Sequence, residues 1–393
     1  MASMAPVKGI VQRVFRDHYS VYREQHALSL RERRAAAQLM SCRTPEQGYH
    51  VWSCPSGDYQ LKQANSCKHR SCPLCGAAET ERWVQAQQAQ ALPCPYHQIV
   101  FTLPHDLHPL WLYNRALFTN LFFRSAWAAL QTFCDDPSWL GAEPGALAVF
   151  QSWGETLNTH VHLHVLITAG GLTPAGRWQS SSNGFLFPAR ALAVRFRGRM
   201  RAGLLRALTA GRLSLPPSTD ASNWRQKLNL LGRQRWHVQI QPPYTHPRGL
   251  ILYLARYLRR GPIAESRIRA YHREHLTITY KRPDAHGHDT FHLPVPEFIR
   301  RLLVHVPPKG LRVVRAYGLF HHRRRSQLAQ ARTQLLPTSA VTGSDRPHAN
   351  DCSAAETVLR FAIRRCPHCN SRLAVTCRSY PIRIRDGPGR IAA

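Results

Sequence analysis

The sequence predicts a mixed α/β protein of the α+β kind: an antiparallel sheet with flanking helices, preceded by a small cysteine-rich module. Three observations point there. Runs of β-branched and aromatic residues alternate with stretches of helical period through the middle of the chain. Five cysteines, Cys42, Cys54, Cys67, Cys72 and Cys75, fall within 34 residues near the N-terminus. The chain has 393 residues, 44% of them hydrophobic, enough to bury a sizeable core in about two or three domains.

The elements follow in order. Tyr96-His-Gln-Ile-Val-Phe-Thr-Leu-Pro104 is a β-rich run stopped by proline and opens a new domain after the cysteine module. Residues 110–133 carry Leu110, Leu117, Phe118, Leu121, Phe122, Trp127 and Leu130 at three- and four-residue spacing, an amphipathic helix that Asp135-Asp-Pro137 ends. Strands are expected at 146–153, 160–168 and 235–241, and helices at 189–210 and 249–260. From about 321 the chain becomes basic, and 326–357, rich in Gln, Ser, Thr and Pro, reads as a linker. The expected domains are therefore 1–93, the cysteine-rich module; 94–320, the mixed α/β body; and 321–393, a basic, partly flexible C-terminal region. No internal repeat is visible.

Charge narrows the partner. Lys and Arg number 53 against 22 Asp and Glu, a formal +31, although only 19% of residues are charged. Only six of the basic residues are lysine, leaving 47 arginines, whose planar donor fork fits phosphate oxygens and guanine edges. A GC-rich genome explains an excess of Arg over Lys but not a deficit of acids. The expected partner is nucleic acid. The longest apolar runs, such as Leu250–Ala255, are far below the ~20 residues of a membrane span. Met1–Val14 lacks the pattern of a secretory signal, so a cytoplasmic chain with reduced, free or metal-bound cysteines is expected.

Cys72-Pro-Leu-Cys75 has the spacing with which two thiolates in a tight turn reach one tetrahedral zinc. Cys54 and Cys67 are the simplest completing pair, with Cys42, His50 and His69 as alternatives or members of a second site. A module this small lacks the core to fold alone, so its zinc would be structural. Lys62, Lys68, His69 and Arg70 around the ligands suit it to DNA. Near the C-terminus Cys366-Pro-His-Cys369 supplies one pair of a candidate second zinc site, with Cys352, His368 or Cys377 to complete it. Cys94 and Cys134 stand apart.

The most informative segment is Thr159-His-Val-His-Leu-His-Val-Leu-Ile-Thr168. In a strand alternate side chains share a face, so His160, His162 and His164 line one side while Val161, Leu163 and Val165 pack on the other. A lone histidine there would read as solvated surface; three at strict period two leading into an apolar run read as a metal site with open positions for a phosphate oxygen and water. In Leu250-Ile-Leu-Tyr-Leu-Ala-Arg-Tyr-Leu-Arg-Arg260, Tyr253 and Tyr257 fall four apart on one helical face, with Arg256, Arg259 and Arg260 around them. Such tyrosines alone are more often core. Next to a histidine metal strand they suggest nucleophiles for a polarised DNA phosphate.

With these motifs the chain resembles the HUH endonucleases, and within them the rolling-circle insertion-sequence transposases of the IS91 type. The resemblance covers most of the chain. It rests on Ser66-Cys-Lys-His-Arg-Ser-Cys-Pro-Leu-Cys75, the strand His97–Pro104, the histidine motif, Tyr253-Leu-Ala-Arg-Tyr257, His305-Val-Pro-Pro-Lys-Gly310 and Arg315-Ala-Tyr-Gly318. It implies an HUH-like antiparallel sheet, His162 and His164 as the paired metal ligands with His160 adjacent, and Tyr253 and Tyr257 as the two nucleophiles. It further implies magnesium or manganese at the histidines, structural zinc in the N-terminal module, single-stranded element ends and target DNA as partners, and a place at the bacterial nucleoid. One departure is visible: the family's zinc segment often has a second C-x2-C pair, whereas Cys54 is followed three positions later by Gly57.

The implied activity is a transposase that nicks one DNA strand, holds it as a 5′-phosphotyrosine and transfers it. Two other classes compete. A plasmid replication initiator or relaxase would use the same chemistry at an origin, and a non-catalytic zinc-dependent nucleic-acid-binding protein would leave the histidine strand and tyrosines unused. No G-x-x-x-x-G-K-[ST] run occurs, so no ATP-driven unwinding is expected.

Overall fold

The computed structural model describes residues 9–181, 187–245, 247–255, 261–282, 287–336 and 365–379. The chain opens with α1 (Ile10–Gln25), α2 (Leu30–Ser41), the hairpin strands β1 (Tyr49–Ser53) and β2 (Gln60–Ala64), and α3 (Ala77–Gln90). Then come β3 (Tyr96–Thr102), α4 (His108–Tyr113), α5 (Arg115–Cys134), β4 (Glu143–Trp153), β5 (Thr159–Leu172) and β6 (Trp178–Ser180). These are followed by α6 (Ala189–Thr209), α7 (Ala221–Leu231), β7 (Val238–Ile240) and α8 (Pro247–Ala255). After them run β8 (Ile268–Tyr271), β9 (His275–Lys281), β10 (His288–Pro294), α9 (Val295–Val304), β11 (Val314–Gly318), α10 (Arg325–Leu335) and β12 (Ala374–Ser379). This is the α+β class the sequence predicts, with every strand pair antiparallel.

Two compact units divide the chain: Met1–Ala78 with Arg259–Val304 and Glu356–Ala393, and Glu79–Leu258 with His305–Ala355. They cut across the expected boundaries at 93 and 320. Segment 259–304 joins the first unit because α9 carries Val295, Phe298, Ile299, Leu302 and Leu303 buried at helical spacing and packs on α1 and α2. α1 buries its own stripe of Val11, Val14, Phe15, Tyr19 and Tyr22, and the Glu265 carboxylate accepts from the backbone N–H of Ile10 at 2.7 Å, filling an orphan donor of its first turn. The C-terminal strand returns to the same unit in the order β12-β1-β2.

In the second unit the sheet runs β11-β4-β5-β3-β7, with β6 on the far end of β5. Period two gives it two distinct faces. On one, Ile99, Phe101, Ala148, Phe150, Val161, Leu163, Val165 and Ile167 form a core with Phe118 and Phe122 of α5, Phe196 and Met200 of α6 and Trp224 of α7. Burying each large side chain there contributes roughly 1.5–3 kcal/mol. On the other, Tyr96, Leu147, Val149 and Leu166 pack with Val84 of α3, Leu250, Ile251, Leu254 and Ala255 of α8 and Ala331 of α10. Where β5 continues past β3, Gly171 lies so close to β4 that a Cβ would sit 2.6 Å from the Glu143 carbonyl carbon, so only glycine fits.

Two sequence expectations change here. The helix read over 110–133 is broken at Asn114 (φ −125°, ψ 35°) into α4 and α5. The buried Asn114 amide donates to the carbonyls of Leu110 and Ser214 and accepts from the Ser214 N–H, and this side-chain bonding competes with helical continuation. The segment read as a linker from 326 begins instead with α10. Ala331 is fully buried, Gln330 and Gln334 donate to the Gly176 carbonyl, and Arg332 donates to the Ala89 carbonyl. Polar composition hid a helix anchored by its amides.

Candidate functional site

Four thiols meet in the first unit: Cys42, Cys67, Cys72 and Cys75 lie with every sulfur within 4.8 Å of the others. Cys42 caps the C-terminus of α2, Cys67 follows β2, and Cys72 and Cys75 flank a tight turn completed by Gly76 at φ 94°. Backbone donors face the sulfurs, Cys67 N–H to Cys42 Sγ at 3.5 Å and His69 N–H to Cys67 Sγ at 3.4 Å. The Cys42 thiol is held far below the usual thiol range by hydrogen bonds from Cys67, Cys72 and Cys75, while Cys67 is pushed far up. Such a tetrad of soft ligands suits tetrahedral zinc.

The set differs from the one expected. Cys42 belongs to it, and His69 does not, since its Nδ1 accepts from the Ser71 N–H at 3.2 Å and burial favours its neutral form. Cys54 lies instead with Cys366 and Cys369. The hairpin explains the exchange. Cys42 and Cys67 approach the end where Tyr49 pairs with Ala64, whereas Cys54 leaves the end where Ser53 pairs with Gln60. Four residues of strand separate those ends by about 13 Å, too far for one ion. His50 is also occupied elsewhere, its Nδ1 bonded to Asn65 Oδ1 at 2.9 Å. Cys352 lies outside the described residues, and Cys377 is exposed on β12 opposite Val51. Cys94 and Cys134 are buried core thiols, Cys94 pushed up to about 12 by burial.

In the second unit His160, His162 and His164 stand as a ladder on β5, successive rings 4.8 Å apart. His162 and His164 are 6% and 5% exposed, and His160 is half-buried. Burial, then the neighbouring His164 and His160 rings, pushes His162 well below the usual imidazole range; burial, then His160, pushes His164 down to about 4. Both are neutral at pH 7, the form that ligates metal. His162 Nδ1–H donates to the His160 carbonyl at 2.8 Å, which leaves the lone pair on Nε2. The His164 ring is held between Gln98 Nε2 at 3.2 Å and Gln151 Oε1 at 3.3 Å. The three ring-nitrogen sets do not converge as the cysteines do, because His160 and His164, four apart on a strand, are separated by about 13 Å along it. Adjacent rungs, not all three, can therefore share one ion.

α8 covers this same face, since Leu250, Ile251 and Leu254 pack with Val149 and Leu166, and Val149 pairs in register with His164. Tyr253 occupies α8, with its side chain outside what is described, and Tyr257, Arg256, Arg259 and Arg260 lie outside the described residues. Lys68 is exposed at φ 55°, and Arg70 is half-buried with its carbonyl accepting from the Gly261 N–H at 3.1 Å.

The sequence reading missed the histidines' neighbours. His105 and His108 flank His160, with ring centroids 6.1 Å apart for His105–His160 and 4.8 Å for His105–His108. Gln98 and Gln151 clamp His164. Only strand register brings the glutamines there, and no local pattern announces it.

The described helices include none long and apolar enough to cross a membrane. Residues 145–327 match the family described as "Putative transposase", and residues 14–103 match a "Transposase zinc-binding domain". The chain is 33% identical over 387 residues, 95% of each chain, to "Putative transposase y4qJ" of Sinorhizobium fredii. It is 31% identical over 335 residues, 82% of this chain and 77% of the relative, to the "Transposase for insertion sequence element IS801" of Pseudomonas savastanoi pv. phaseolicola. No solved structure matches it. A basic α+β chain with a four-thiol module and these relatives is a DNA-processing enzyme with a zinc-binding domain. The chain belongs to the IS91-type transposases.

Proposed function

We propose that this transposase nicks single-stranded DNA at its element's ends through a tyrosine nucleophile on the α8 segment and passes the strand to a target, in rolling-circle fashion. The observation that carries the reading is the buried, neutral pair His162 and His164 on the sheet face that α8 covers. The donor set fits a divalent cation: His162 presents Nε2, and an amide turn at Gln151 or Gln98 would release a nitrogen of His164. Magnesium or manganese held there would supply Lewis-acid polarisation of the scissile phosphate.

The chain's own residues do the rest. Tyr253 or Tyr257 attacks phosphorus through its phenolic oxygen, the P–O3′ bond breaks, and the 3′ oxygen takes up a proton. One phosphodiester replaces another as a 5′-phosphotyrosine, so the energy of the broken bond is kept and no nucleotide cofactor is required. Two nucleophiles four positions apart in sequence let the second act while the first still holds DNA. His160 stands next to the pair and tunes it rather than completing it. Arg256, Arg259, Arg260, Lys68 and Arg70 bind phosphates, with the zinc-binding domain recognising the end.

The test uses labelled single-stranded element ends with magnesium or manganese. Tyr253→Phe and Tyr257→Phe each block transposition, at least one single variant still forms a covalent adduct in a single-nick assay, and the double variant forms none. Adduct formation by the double variant would remove both tyrosines from the chemistry.

A further inference from the structure

Cys54 is left over by the four-thiol cluster, yet it is not alone. Its Sγ lies 3.2 Å from Cys369 Sγ, and Cys54, Cys366 and Cys369 form a second group with all sulfurs within 4.8 Å. The three come from ends of the chain 312 positions apart in sequence, and Cys54 and Cys366 are buried while Cys369 is exposed. The geometry points to a second zinc site, Cys54 with Cys366 and Cys369, that fastens the C-terminal strand onto the N-terminal module.

The local backbone is built for it. Cys366-Pro-His-Cys369 is a tight turn closed by Asn370 at φ 59°, its amide donating to the Cys366 carbonyl at 3.0 Å, while the His368 N–H points at Cys366 Sγ at 3.4 Å. Cys54 stands at the end of β1, where Ser53 pairs with Ala374 at the start of β12. In the turn Cys54-Pro-Ser-Gly57 a glycine occupies the place where Cys72-Pro-Leu-Cys75 and Cys366-Pro-His-Cys369 carry their second cysteine. The C-terminal pair thus supplies thiols that the Cys54 turn does not. Among the described residues no fourth Cys, His, Asp or Glu joins the group. The fourth position falls to water or to the Ser56 hydroxyl, whose oxygen is 3.0 Å from Cys54 Sγ and 3.5 Å from Cys369 Sγ.

A clasp is also needed. Among the described residues the buried apolar cluster here is Cys54, Cys366 and Leu373, with Trp52 and Tyr59 packed against it. That is too little core to order a fifteen-residue segment, 365–379, by burial alone. Zinc binding would displace three thiol protons and add the missing free energy. Three protein ligands and one exchangeable position make this site the weaker and more labile of the two.

The full chain should carry two zinc ions by elemental analysis after purification with zinc alone added. Cys54→Ser and Cys369→Ser should each lose one ion and keep the other, which shows that the module still folds. In both variants, and in wild type after a mild chelator removes the first ion, amide exchange over Val375–Ser379 should quicken at least tenfold. A single zinc in wild type, or two retained by Cys54→Ser, would overturn the site.

Discussion

The four-thiol cluster and the histidine ladder are assembled in opposite ways. The thiols come from a helix end, a strand end and a turn, and converge on one point. The histidines come from one strand and stand in a row, fixed by a sheet whose other face is a dense aromatic core. The cluster therefore depends on its ion for its shape, whereas the ladder has its shape before any ion arrives. A site of the first kind would tie stability to metal, and a site of the second kind would tie only chemistry to it.

The largest effect should come from breaking the cluster. Cys72→Ser with Cys75→Ser should abolish tightly bound zinc at the four-thiol site and unfold the module, since structural zinc supplies about 10–16 kcal/mol in small domains. Elemental analysis and circular dichroism of the purified chain check this, and a folded chain lacking that zinc counts against the module. Cys42→Ser should behave the same way, which distinguishes the observed ligand set from the one containing Cys54.

Next come the two faces of β5. Leu163→Ala removes a buried side chain packed in the aromatic core and should cost about 2–5 kcal/mol in denaturant unfolding. His162→Ala, on the other face, should cost far less stability while removing metal-dependent activity. Equal losses of stability would mean that the histidine face is simply more core.

How much of this could be read from sequence follows the same division. Strict period two in 160–165 announced both the ladder and its apolar reverse, because one strand fixes both faces by itself. The ligand set of the cluster was not legible. Cys54 stands nearer in sequence to the Cys72-Pro-Leu-Cys75 turn than Cys42 does, and only the hairpin's length excludes it in favour of Cys42. The first unit's borders were hidden for the same reason, since α9 is amphipathic like any surface helix and its partner α1 lies some 270 residues away. Asn114 looked like an ordinary helix residue until its amide found Ser214.

Smaller effects sharpen the ladder. Gln98→Ala or Gln151→Ala should weaken divalent-metal affinity about 10–100-fold through loss of His164 orientation, with folding intact, as read by calorimetric titration. An unchanged affinity would show that the amides only fill space. Acid should report the neutral histidines. In the unfolded chain these imidazoles take up protons below about pH 6.5, but folded His164 does so only near 4, so stability is flat above 6.5 and falls as pH drops from 6.5 toward 4. The fall should be shallower in His164→Asn, and an identical slope would place the acid sensitivity elsewhere.

The proposed function rests on the His162 and His164 pair, on the face covered by α8, as the site of metal-dependent single-strand cleavage. It is tested most directly by incubating wild type and the His162→Ala/His164→Ala double variant with labelled single-stranded element ends, with and without magnesium or manganese. Wild type should give a 5′-linked covalent adduct and a free 3′-hydroxyl fragment only with metal. The double variant should give neither while binding the DNA about as tightly, because affinity rests on many arginine–phosphate contacts. Full cleavage by the double variant would contradict the account.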